Sequence, residues 1–175
     1  MAHACSYIQP HNIGDPIAKA VDEVRLDTVL ESIHDGYITF ARDVSAASPN
    51  TKLMVHQYDY PPLMGVDGSF LACATGRGCA RRYATRAAKQ GPKEHAFNIV
   101  KYVVGRLAAQ LEELPNDLFV VVPTLGTLTS EDQWDDELHP SDEGFRMIGG
   151  VIGESVMNEF SMCNTPNGRV VCPDS

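Results

Sequence analysis

The chain has 175 residues, 43% hydrophobic and 21% charged, which is ample material for one globular domain with its own core. A formal charge of −9 and a pI near 5.0 exclude bulk electrostatic binding to nucleic acid or to acidic membrane surfaces. No apolar run reaches the roughly 18 residues that a span needs, and the first residues lack a charged-then-apolar export pattern, so a soluble chain is expected, its compartment left open.

Residues 1–15 read as an irregular start, containing proline and histidine. From Pro16 to about Ala47, Leu26, Val29, Leu30, Ile33, Tyr37, Phe40, Ala41 and Val44 recur at helical spacing, which predicts one long amphipathic helix. Asp15 suits its N-cap and Pro16 its first helical position. Ser48-Pro49-Asn50 ends it, and the short apolar run Lys52–His56 predicts a buried strand. A loop from Pro61 to Gly91 follows, with Arg77, Arg81, Arg82 and Arg86 near Lys89 and Lys93, a cluster that reads as a solvated basic face or as a contact for an anionic group. A second helix is predicted from about Pro92 to Leu114, its apolar side formed by Phe97, Val100, Val103, Val104, Leu107, Ala108 and Leu111. Leu118–Val122 is a second strand. A third helix carries Phe145, Ile148, Val151, Ile152 and Val156 on one face, and the tail from 161 to 175 reads as irregular.

Alternating helices and strands predict an α/β fold with parallel strands joined by crossover helices. Only two strands stand out, whereas a parallel sheet normally has several strands covered on both faces. The edges of so small a sheet invite strand addition, so a homodimer or a partner chain pairing through an open edge is an expected form of association.

Five cysteines leave no closed disulfide framework: Cys73/Cys79 and Cys163/Cys172 are near enough in sequence to bridge one loop each, with Cys5 over. Free or partly paired thiols are the default. There is no Cys-x-x-Cys, and the histidines at positions 3, 11, 34, 56, 95 and 139 match no familiar ligand spacing, so neither metal nor cofactor is expected.

Chemistry concentrates at Asp136-Glu137-Leu138-His139-Pro140, followed by Ser141-Asp142-Glu143-Gly144-Phe145. A neutral imidazole takes a hydroxyl proton well only when its other ring nitrogen is held by a fixed acceptor, and Asp136 is spaced to hold His139 in that way. Pro140 fits the first turn of the following helix, and Ser141, Asp142 and Glu143 suit its free N–H groups. Tyr58, Asp59 and Tyr60 follow the first strand, where a substrate contact is expected at a carboxyl end, or where aromatic side chains close the core. Trp134 either walls such a site or anchors its loop.

Together, His56-Gln57-Tyr58-Asp59-Tyr60 and Trp134 to Phe145 resemble the C-terminal half of the SGNH (GDSL-type) hydrolases, whose last block, Asp-x-x-His, is matched by Asp136 and His139. The likeness runs from about Val21, through Ala46-Ala47-Ser48-Pro49-Asn50, to about Phe160. It implies residues 16–160 as the later part of a three-layer α/β/α, flavodoxin-like domain without its first strands. It also implies serine ester hydrolysis through an acyl-enzyme, on a small-molecule ester substrate, with His139 as general base and Asp136 as its orienter; Tyr58, Asp59 and Trp134 are candidate substrate contacts by position alone. The family's Gly-Asp-Ser nucleophile block and its oxyanion donors are not found. Gly14-Asp15-Pro16 places proline where the serine would be, with neither hydroxyl nor N–H to offer, and Asp67-Gly68-Ser69 stands at the wrong place in the chain order and makes Ser69 a weak substitute. The chain alone is therefore expected to be inactive. The other reading is a non-catalytic remnant or interaction module that pairs through its sheet edge.

Overall fold

The structure, a computed structural model, describes Tyr7 and residues 15–62, 93–135 and 139–159. It is a mixed α/β fold. A four-residue helix α1 (Ile17–Ala20) leads into α2 (Glu23–Ala47), then β1 (Leu53–His56), α3 (Lys93–Glu112), β2 (Phe119–Val122), a 3₁₀ turn (Glu131–Gln133) and α4 (Asp142–Glu159). The basic cluster Arg77–Arg86, Ser69 and all five cysteines lie outside the described residues.

The first helical stretch is not continuous. Val21 is extended (φ −114°, ψ 128°), and Asp22 caps α2 by accepting a 3.2 Å hydrogen bond from the Arg25 N–H. An aspartate that bonds its own downstream amide ends one helix and starts the next, although in the sequence pattern it passes for an ordinary polar position. The break seats Ala20 and Val21 in a buried cluster with Leu26, Leu30 and Ile99, which ties α1 and α2 to α3. Pro16, not Asp15, is the residue flanking α1, and it makes no side-chain cap. Arg106 of α3 cross-links the same helices, donating to Glu23 at 2.8 Å, Asp27 at 2.5 Å and the Tyr102 hydroxyl at 3.1 Å. The hydrogen bond to Tyr102, ahead of that to Asp27, raises the guanidinium pKa further above its ordinary value. These side chains are only partly buried and solvent screens the pair, so the link contributes only about 1 kcal/mol.

β1 and β2 pair in parallel, with Leu53 opposite Phe119 and His56 opposite Val122. Leu53, Val55, Phe119 and Val121 alternate onto one face, where they pack with Tyr37, Ala41, Leu111 and Leu114 of the α2–α3 layer. Tyr37 meets Phe119 edge-on at 6.2 Å. Burying a side chain such as Phe119, 2% exposed, contributes about 1.5–3 kcal/mol. Helix α4 packs instead on β2 and the 3₁₀ turn, and Lys52, just before β1, reaches its last residue Glu159 at 2.5 Å. Two expectations for α4 are corrected. Pro140 precedes the helix rather than entering its first turn, and Phe145 is 58% exposed while Ile148 carries the buried side. Among the described residues no helix is long and apolar enough to cross a membrane.

Candidate active site

Parallel strands deliver the loops that follow them to one end of the sheet, and in open α/β sheets ligands gather there. Here residues 57–62 leave β1 and residues 123–130 leave β2 side by side, joined by Asp59. Its side chain is 3% exposed. One carboxylate oxygen accepts from the Tyr60 and Gly126 N–H groups, both at 2.7 Å, and the other accepts from Leu128 N–H at 2.6 Å. With both oxygens committed to backbone amides, Asp59 holds the two loops together instead of facing outward. Gly126, at φ 84°, takes a turn that a residue with a Cβ enters only under strain.

The same junction is tied a second time through Thr124, which is fully buried and donates its hydroxyl proton to the Gln57 carbonyl. The Gln57 side chain donates in turn to Glu112 at the end of α3, at 2.8 Å. His56, exposed at the end of β1, donates from Nδ1 to the Gln57 carbonyl at 2.9 Å, since a carbonyl can only accept. Among the described residues no group of three His, Cys, Asp or Glu side chains could hold a metal ion.

The segment bearing His139 hangs from this platform. Gln133 accepts on its side-chain oxygen from the N–H groups of Thr129 (2.7 Å) and Ser130 (3.0 Å), closing the 3₁₀ turn. Trp134 follows, 6% exposed, packed with Leu128 and Ile148 and edge-on to Tyr58 at 6.2 Å. Thus Trp134 and Tyr58, both expected at the site, meet at the carboxyl end of β1 as an anchor. Trp134 bridges Pro140 in antiparallel fashion; the Asp135 N–H donates to the His139 carbonyl at 2.8 Å and the Ser141 N–H to the Gln133 carbonyl at 2.9 Å. These bonds fasten both ends of a short loop and leave His139 exposed upon it. Asp136, with Glu137 and Leu138, lies outside the described residues, so of the expected pair only His139 is described.

Ser141 then caps α4, its hydroxyl oxygen accepting from the Gly144 N–H at 3.3 Å. Gly144 itself is required by close approach: a Cβ there would sit 2.2 Å from the Gln133 carbonyl oxygen and 2.9 Å from Pro140 Cβ. The hydrogen bond from Arg146 holds the Glu143 carboxyl below its usual range, at the end of the helix where an anion is favoured. Neither Gln133 nor Gly144 was marked by a motif as a positioning residue, because both act on backbone groups rather than on a substrate.

Beside Trp134 an open pocket of about 630 Å³ lies between α3 and the loop after β2. Tyr60, Pro62, Phe97, Leu128 and Trp134 form its apolar walls, and Lys101 and Glu131 are its charged members. The spacing of Phe97 along α3 had suggested only a core-facing side chain. Compared with family models, with curated proteins and with solved structures, the chain matches none of them.

Proposed function

We propose that the chain belongs to an SGNH-type serine ester hydrolase, of flavodoxin-like α/β/α architecture, and contributes the base half of its site. In this reading His139 is the general base, Asp136 holds and stabilises its imidazolium, and the serine and oxyanion donors are supplied from outside these 175 residues. The substrate is a small-molecule ester.

The observation that supports this most is the double fastening of the His139 loop at the carboxyl end of the parallel pair. A base must be held near one orientation to catalyse, and a loop tied by the Trp134–Pro140 bridge and seated on Tyr58 supplies such a support. Asp59 joins the carboxyl-end loops of both strands to the same platform.

The chain by itself is expected to hydrolyse p-nitrophenyl acetate no faster than buffer. The product of the same reading frame extended upstream, through an in-frame Gly-Asp-Ser block, is expected to turn the ester over, and His139→Ala to lower that rate by at least about 100-fold. An extended product that is inactive, or whose activity survives His139→Ala, would remove this reading.

A further inference from the structure

We infer that the pocket between α3 and the loop after β2 binds a small carboxylate through its aromatic or acyl body, with the anionic end on Lys101. A volume of about 630 Å³ falls within the roughly 300–1,000 Å³ of small-molecule sites, and apolar walls with a few polar groups are the usual makeup of such sites. Tyr60, Phe97, Leu128 and Trp134 supply the walls.

The charge preference follows from how the neighbouring donors are spent. The amides of Gly126 and Leu128 go to Asp59, and those of Thr129 and Ser130 go to the Gln133 side chain. The loop therefore has none of these four N–H groups left for a ligand oxygen, and recognition of an anion falls to a side chain. Lys101 is the candidate. Its ammonium lies 5.0 Å from the centre of the Tyr60 ring, and no carboxylate among the described residues pairs with it. By contrast, Lys19, Arg25, Lys52, Arg106 and Arg146 each meet an aspartate or glutamate within 4.0 Å. Glu131 stands on the 3₁₀ turn and repels an anion from that side, so the ligand enters with its charged end toward α3. Binding requires neither a nucleophile nor Asp136 and so stands apart from the hydrolase reading.

The chain has one tryptophan, Trp134, and it lines the pocket, so its emission reports occupancy directly. The probes are 4-phenylbutanoate and its neutral amide, titrated into the full chain. The carboxylate is expected to change Trp134 emission saturably and to bind three- to tenfold more tightly than the amide, on the order of one exposed charge-assisted contact. Lys101→Met keeps the stem and the helix propensity and should erase that preference. Glu131→Gln should hold or tighten carboxylate binding. The inference is overturned if emission does not saturate with the carboxylate, if carboxylate and amide bind alike, if Lys101→Met keeps the preference, or if Glu131→Gln abolishes carboxylate binding.

Discussion

Asp59→Ala is expected to lower the unfolding free energy by about 3 kcal/mol, an unusually large loss for one short polar side chain. Three backbone N–H groups donate to this carboxylate, and the Leu128 amide lies where water reaches poorly, Leu128 being 5% exposed. Charge-assisted bonds of this kind contribute about 1.5–3 kcal/mol each, and an abandoned buried amide costs about 1–3 kcal/mol; local relaxation keeps the sum below the simple total. Asp59→Asn can keep the oxygen that accepts from Tyr60 and Gly126 while turning an amide donor toward the Leu128 N–H, so its loss should be intermediate. Urea denaturation followed by Trp134 emission measures both, since that ring is anchored on the residue before Asp59. A change below about 0.5 kcal/mol for Asp59→Ala would mean that the carboxylate does not hold the two loops.

Gly144→Ala gives the second large effect, with a sign opposite to the usual expectation. Alanine in place of a helical glycine ordinarily stabilises by about 0.5–1 kcal/mol. At position 144 the new methyl would meet the Gln133 carbonyl at 2.2 Å, a backbone group that cannot swing aside as a side-chain tip can. Either α4 or the loop from Trp134 to Pro140 must move, at about 2–3 kcal/mol. The same helix supplies its controls, because nothing lies within 4 Å of a Cβ at Gly149, Gly150 or Gly153. Alanine at each of these three should raise the midpoint of thermal unfolding, while Gly144→Ala lowers it and shifts the amide resonance of His139. Stabilisation by Gly144→Ala would contradict the close packing of the His139 loop against α4.

Much of the fold was legible because it depends on local periodicity. The run before His56 and the run of valines before Pro123 became β1 and β2, and Ser48-Pro49 marks the end of α2. The break at Val21-Asp22 was hidden, since Asp22 occupies a polar position in the helical pattern and only its hydrogen bond to Arg25 gives it away. Phe145 kept the spacing of an apolar face yet is exposed, because α4 turns Ile148 toward Trp134 and Leu128. His139 stood out in the sequence by its Asp-x-x-His spacing, whereas the bonding of Asp59 to both carboxyl-end loops did not. Asp59, between two tyrosines, invites a substrate contact when read locally. Its partners Gly126 and Leu128 lie 67 and 69 residues away, and no spacing rule links a carboxylate to backbone amides so distant. Lys101 and Phe97 were likewise hidden, because helical periodicity sorts side chains into inward and outward but does not tell which of either set border a pocket, and Phe97 was read only as core-facing.

Whether Asp136 orients His139 as a base shows directly in the ring tautomer of His139 in the ¹⁵N-labelled chain, read from long-range proton–nitrogen correlations. An aspartate accepting from Nδ1–H leaves Nε2 bare to take a proton, so the neutral ring should carry its hydrogen on Nδ1, and Asp136→Asn should move it to Nε2. A ring already protonated on Nε2, and unchanged by Asp136→Asn, would contradict the account.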